Sequence, residues 1–159
     1  MTRRLYRGLI RMRSRVFNTV FENMLRVLLL ADTLNVSANA DRLAALDFIC
    51  IYGKKCKVLD KNLHGDNEFG FAEFANKREK ITEAIKLSVR NDFVNVEHTA
   101  QGFLYSINDR GRSVVQNIQS PYARSYVVGA KIVCRRFSDY SDDGILQYIS
   151  DKATEAKEA

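Results

Sequence analysis

Apolar residues recur every three or four positions along three stretches of the chain, which is the spacing of one face of an α-helix. The first stretch begins at Thr19, which has capping-box spacing with Glu22. The second begins at Asn39, a good N-cap, and stops at Gly53. The third spans about residues 71–90 and carries charges on its other face. The pattern predicts three helices, the first two joined by a short polar turn.

Two short segments after the third helix alternate apolar and polar residues, which is the period of a half-buried β-strand. A turn over residues 99–102 separates them, so they predict a β-hairpin. Its apolar positions are Val94, Val96, Phe103, Tyr105 and Ile107. Three helices followed by a hairpin is the order of a winged helix-turn-helix domain. We therefore expect a mostly α (α+β) fold, with a winged helix-turn-helix core, one β-hairpin wing and an extension of C-terminal helices.

Two further helices are predicted after the hairpin. Asn108 is a suitable N-cap for a short helix through about Gln119, and Ser120 followed by Pro121 is typical of the start of the next helix. One face of that next helix carries a stripe of Tyr122, Tyr126, Val133, Phe137 and Tyr140. A core face and a partner-binding face have the same helical spacing, so the stripe leaves both interpretations open.

The length of 159 residues fits one domain, with additional segments at both ends. We divide the chain into an Arg-rich arm over residues 1–15, a winged-helix domain over residues 16–140 and a tail over residues 141–159. In the tail, residues 145–149 are expected to form one or two helical turns. The charged, alanine-rich end that follows is expected to fray.

The composition is that of a globular protein, with 46% hydrophobic and 28% charged residues. A single proline, where average usage gives about eight, favours long helices over a loop-rich sandwich. The longest strongly apolar run, residues 27–31, is far shorter than the roughly 20 residues that cross a bilayer. We expect a soluble protein that makes no membrane contact.

The formal charge of +6 is confined to the N-terminal arm, which contains no acidic residue. The arm holds Arg3, Arg4, Arg7, Arg11, Arg13 and Arg15. The rest of the chain has 19 basic and 19 acidic residues, so its formal charge is zero. The arm is a candidate for contacting nucleic-acid phosphate without reading sequence. Two other interpretations of this segment remain open. It has the composition of an organelle presequence, or the chain starts at Met12.

Catalytic and metal-binding motifs are missing from the sequence. It contains no phosphate-binding glycine loop, no GxSxG elbow and no HExxH motif, so we expect no enzyme and no cofactor. The cysteines form no CxxC pair and no secretory leader precedes them, which favours free thiols and a cytoplasmic location. A zinc site was considered for Cys50, Cys56, His64 and His98, but their spacing matches no common structural site.

The third helix is the element that would read DNA in this topology. Its basic residues are Lys77, Arg78, Lys80, Lys86 and Arg90, and they are interleaved with Glu73, Glu79 and Glu83. Carboxylates repel phosphate, so an ion-paired or protein-binding face is favoured over a base-reading face.

The long polar segment over residues 54–70 is predicted to be a loop, and loops of this length often carry function. Its cluster of His64, Gly65, Asp66 and Asn67 also belongs to a set of motifs that resembles a known family. The others are FNTVFEN at residues 17–23, LRVLLL at 25–30, ALDF at 45–48, Tyr52-Gly53, Phe74, Arg78-Glu79, Gly102, Tyr105, Gly111 and Ser120-Pro121-Tyr122-Ala123. Over about residues 17–135 the chain resembles the middle component of bacterial ABC-type three-component systems, the group that includes the Lamassu-type antiphage and antiplasmid complexes.

This resemblance implies a non-enzymatic adaptor in a hetero-oligomeric defence complex. Its partners would be an ABC ATPase of the structural-maintenance-of-chromosomes (SMC) type, which senses foreign DNA, and an effector such as a nuclease. The expected partner-binding residues are His64, Asp66, Asn67, Tyr122, Tyr126, Phe137 and Tyr140. DNA would be contacted through the arm or through the complex. The alternative function is a winged-helix transcriptional regulator, which predicts a homodimer and sequence-specific DNA binding.

Overall fold

The computed structural model describes residues 19–66 and 70–158. All six arginines of the N-terminal arm, and Asn67 of the loop, lie outside the described residues. The described part is mostly helical with one antiparallel hairpin, which confirms the expected α (α+β) class. Its elements are α1 Val20–Leu34, α2 Ala40–Ile51, a 3-10 turn Phe71–Glu73, α3 Phe74–Arg90, β1 Val94–Thr99, β2 Gly102–Ile107, α4 Asp109–Gln116, α5 Pro121–Arg136 and α6 Asp142–Glu158.

Four helices begin at the cap residues that the sequence predicts. Thr19 Oγ1 accepts a hydrogen bond from the Glu22 amide at the start of α1. The same bond, from the amide three residues on, is accepted by Asn39 for α2, Asn108 for α4 and Ser120 for α5. Each side chain satisfies one of the amide groups that a helix start leaves without a partner. These starts are therefore set by local sequence.

Helix α1 lies at the centre of the fold and packs against α2, α3, α4 and α5. Its residues from Asn23 to Ala31 are all buried, because neighbours surround the helix on every side. This explains why the segment is apolar around its whole circumference instead of along one stripe. Asn23 and Arg26 are the polar residues within that run.

The hairpin forms where the alternation predicts it, with Val94 opposite Ile107 and Val96 opposite Tyr105. Tyr105 also exchanges two backbone hydrogen bonds with Ala38, in the turn between α1 and α2, at 2.8 and 3.0 Å. This bridge ties the hairpin to the first two helices. Three helices and then a hairpin is the predicted order of elements.

The prediction for the C-terminal residues is wrong. Residues 142–158 form one continuous helix, where one or two turns and a frayed end were expected. Ile145 and Ile149 are buried in the main core, and the Tyr148 hydroxyl donates a 2.8 Å hydrogen bond to the Cys56 carbonyl. Residues 150–158 have few large apolar side chains and so give little periodic signal, although Ala, Lys and Glu are good helix formers.

Candidate functional site

The loop after α2 and the start of α5 are joined through two side chains that the sequence analysis selected. His64 Nε2 and the Tyr122 hydroxyl are hydrogen-bonded at 2.6 Å, and their rings are 5.8 Å apart between centroids. Burial, with the nearby Arg26 and Lys77 charges, lowers the pKa of His64 to about 4. The imidazole is therefore neutral at pH 7. The bond places the loop against α5.

A buried polar network lies beneath this contact and links three helices. Arg26 of α1 and Asp47 of α2 form a two-point ion pair, with Nε–Oδ1 at 3.1 Å and Nη2–Oδ2 at 3.2 Å. The Tyr126 hydroxyl of α5 donates a 2.7 Å hydrogen bond to Asp47 Oδ1. Burial lowers the pKa of Arg26, but the Asp47 carboxylate outweighs that effect and holds it above its ordinary value. The Arg26 guanidinium therefore keeps its charge inside the protein.

The network extends to the loop through Tyr122. Burial raises the pKa of Tyr122, and a hydrogen bond from Arg26 opposes that rise. The phenol stays protonated at neutral pH. Hydrogen bonds therefore run from Asp47 through Arg26 and Tyr122 to His64, so the position of the loop depends on the core.

Asn62 fixes the shape of the loop itself. Its side-chain oxygen accepts hydrogen bonds from the amides of Lys54 and Lys55, at 3.0 and 3.1 Å. Its amide nitrogen donates a 3.0 Å hydrogen bond to Asp66 Oδ1. Gly53 allows the chain to fold back, because a Cβ there would overlap Leu59. Asn62 thus joins the start of the loop to Asp66.

An open groove of about 550 Å³ lies between this loop and α5. We call it the loop–helix groove. Its apolar lining includes Leu59 and Leu63 from the loop side and Val128, Gly129 and Ile132 from α5. Val128 is 63% exposed and Ile132 is 48% exposed. Apolar side chains left open beside a fixed loop are typical of a surface that binds another protein.

The residues selected from the sequence do not all lie at this surface. His64 and Tyr122 are partly buried and in contact, and Asp66 is exposed beside them. Tyr126 and Phe137 are 1% and 0% exposed, so the structure shows the core alternative for both. Helix α5 ends at Arg136, and Tyr140 lies in the following turn with its ring edge-on to Phe137.

Sequence reasoning missed the residues that line and support the groove. Val128 and Ile132 lie outside the aromatic stripe, and an isolated Val or Ile gives no signal of exposure. Arg26 and Asp47 did leave a signal, because each is the one charge in an otherwise apolar run, residues 24–31 and 43–51 respectively. A buried charge requires a partner, and that rule alone would have paired them.

The outer face of α3 agrees with the ion-paired interpretation at two positions. Arg78 contacts Asp41 of α2 at 2.6 Å, and Lys86 contacts Glu83 at 3.2 Å. Lys77 is buried, with its ammonium 5.6 Å from the centre of the Tyr52 ring. Arg78 and Lys77 are therefore already engaged within the chain, whereas Lys86 and Glu83 are both more than half exposed.

The cysteines are free thiols, and Cys50 and Cys56 are buried. Burial raises the pKa of Cys56 to about 12 and that of Cys134 to about 11, so both stay protonated at pH 7. No cluster of three or more His, Cys, Asp or Glu side chains suited to a metal occurs among residues 19–66 and 70–158. In the same ranges, no helix has both the length and the hydrophobicity needed to cross a bilayer.

Comparison with known proteins gives one match. The family model described as ABC-three component (ABC-3C) system Middle Component 2 matches residues 16–159. The match begins just after the Arg-rich arm and includes α6. No curated protein and no solved structure matches the chain significantly.

Proposed function

The chain belongs to the Middle Component 2 family of ABC-three component systems, and we propose that it is the adaptor that joins an ABC ATPase to an effector. In this proposal the ATPase is of the SMC type and the effector is an enzyme such as a nuclease. The complex defends a bacterial cytoplasm against phage or plasmid DNA. The chain itself contributes binding surfaces and performs no chemistry.

The loop–helix groove is the observation that carries this proposal. The Arg26–Asp47 pair and the His64–Tyr122 contact hold the loop against α5, while Val128 and Ile132 stay exposed next to it. A surface whose backbone is fixed before binding loses little conformational entropy when a partner docks. The apolar side chains provide the area that a partner would bury.

Contact with DNA is assigned in this proposal to the arm and to the ATPase. The arm holds the excess positive charge of the chain, and the remaining residues have no net formal charge. Arginines without nearby acids suit phosphate contacts that carry no sequence information. The winged-helix regulator receives less support, because Arg78 of α3 is paired with Asp41 and Lys77 is buried.

Reconstitution tests the adaptor role. The chain is coexpressed with the ABC ATPase and the effector encoded beside it, and a tag on the effector is used to purify the complex. We expect the ATPase to be recovered with the effector only when the chain is present. Recovery of equal amounts of ATPase without the chain would contradict the proposal.

A further inference from the structure

A second apolar groove lies between α3 and the β-hairpin, on residues that the adaptor site does not use. It has a volume of about 400 Å³. We call it the hairpin groove. Its apolar lining is formed by Ile85, Val89, Val96, Phe103 and Tyr105.

The strand register explains why this groove is open. Val94 and Ile107, at the base of the hairpin, are opposite each other and buried. Towards the tip of the hairpin, the next pair on the same face is Val96 and Tyr105, and the pair after it is His98 and Phe103. Val96 is 44% exposed and Phe103 is 53% exposed. The base of the hairpin therefore packs into the core, while its tip leaves apolar side chains uncovered.

The side of α3 that faces the groove adds one exposed apolar side chain and two cations. Val89 is 39% exposed, and Lys86 and Arg90 border the groove on the same helix. Lys86 also contacts Glu83, but both side chains are more than half exposed, so water screens that pair. Glu97 of β1 alternates with Val96 and so lies on the other face of the hairpin. The rim of the groove along α3 is therefore basic.

These features favour one kind of occupant. Three exposed apolar side chains offer no hydrogen bonds to base edges, so they do not suit the reading of DNA sequence. An amphipathic helix places apolar side chains at intervals of three and four residues along one face, and such helices bind in apolar grooves. Carboxylates beside that face would meet Lys86 and Arg90. The charge and the apolar strip together specify an acidic amphipathic segment.

We propose that the hairpin groove binds an acidic amphipathic helix of a partner protein. The apolar residues of that helix contact Val89, Val96 and Phe103, and its carboxylates pair with Lys86 and Arg90. This inference rests on the proposed function, since an adaptor needs separate surfaces for its two partners. It identifies the second surface and the chemistry of the segment that binds there.

A peptide selection tests this inference on the isolated full chain. A phage library of random 16-residue peptides is selected on the immobilised protein, and binders to the Phe103→Ser variant are removed. We expect enriched peptides to carry Asp or Glu beside apolar residues at helical spacing. Their affinity should fall at least tenfold in Val89→Ser, a variant that the selection does not use, and it should weaken with salt and in Lys86→Gln/Arg90→Gln.

Val128→Ser, in the loop–helix groove, is the matched control and should bind the selected peptides as the unmodified chain does. Since Phe103 and Val89 are already exposed, their serine variants should keep the unfolding midpoint of the parent chain. Failure to enrich any peptide, or enrichment of basic peptides, would overturn the inference. Displacement of the peptides by duplex DNA would also overturn it. The same holds if the chain forms a homodimer that the Phe103→Ser substitution dissociates. The selection needs neither ATPase nor effector, so its result is independent of the reconstitution.

Discussion

Arg26 and Asp47 are 21 positions apart in the sequence, and their buried side chains form a two-point ion pair between α1 and α2. Because Tyr126 donates to the same carboxylate, Asp47 connects all three helices on which the loop–helix groove depends. The groove is therefore coupled to the stability of the core.

Removal of one partner of this pair should strongly destabilise the protein. Asp47→Ala leaves the Arg26 guanidinium buried without its counter-ion, which typically costs about 3–5 kcal/mol of unfolding free energy. The double variant Arg26→Met/Asp47→Leu removes both charges and should lose much less. Urea unfolding of the three proteins measures the difference. A loss below about 1 kcal/mol in Asp47→Ala would contradict the ionised pair.

The contact between His64 and Tyr122 should control the order of the loop. Tyr122→Phe removes the hydroxyl that holds the imidazole, so amide hydrogen exchange should accelerate in residues 54–66 and stay slow in α1. The cost in global stability should be about 1 kcal/mol. Tyr140→Phe, outside this network, is the matched control. Equal exchange in the two variants would argue against this role.

His64 should also make stability depend on pH. Its pKa is lowered to about 4 in the folded chain, compared with 6.5 for an unperturbed histidine, so the unfolded state binds a proton more readily. The contribution of neutral His64 to the free energy of unfolding is fully present above pH 6.5, and it should be lost progressively as the pH falls towards 4. Unfolding in urea at pH 7, 6 and 5 measures this slope. His64→Phe should flatten the slope between pH 6.5 and 5, and an unchanged slope would contradict this role for His64.

Tyr126 and Phe137 should behave as core residues when they are mutated. Each is almost completely buried, and truncation to alanine leaves a cavity that costs about 3–5 kcal/mol. Val128→Ala, in the same helix as Tyr126 but exposed, should change stability by no more than about 0.5 kcal/mol. Thermal unfolding separates the two classes. Nearly unchanged melting of Tyr126→Ala and Phe137→Ala would mean that these side chains are not buried.

Features set by neighbouring residues could be predicted from the sequence. The helix caps are one such feature. The side chains of Thr19, Asn39, Asn108 and Ser120 each accept a hydrogen bond from the amide three residues ahead, so a short stretch of sequence contains the whole interaction. The hairpin register follows from alternation over a short span. The fold class was therefore predictable.

Features that depend on distant contacts could not be predicted in this way. Tyr126 and Val128 are two residues apart on α5, but the first is buried and the second is exposed. Only the packing of α1 and α2 against one side of α5 decides between them. The extent of α6 also depends on distant contacts, since Tyr148 bonds to Cys56 and Lys57 pairs with Glu155. A weak periodic signal cannot report such contacts.

In the proposed complex the loop–helix groove binds the ABC ATPase, and the affinity of that contact tests the central claim most directly. Val128→Ser/Ile132→Ser removes the exposed apolar side chains of the loop–helix groove at little cost to the helix, since Ser and Val have similar helix propensities. Val36→Ser, at an exposed position outside that groove, is the matched control. Isothermal titration with the purified ATPase should show at least tenfold weaker binding for the double variant and unchanged binding for the control. Equal dissociation constants for the double variant and the parent chain would contradict the account.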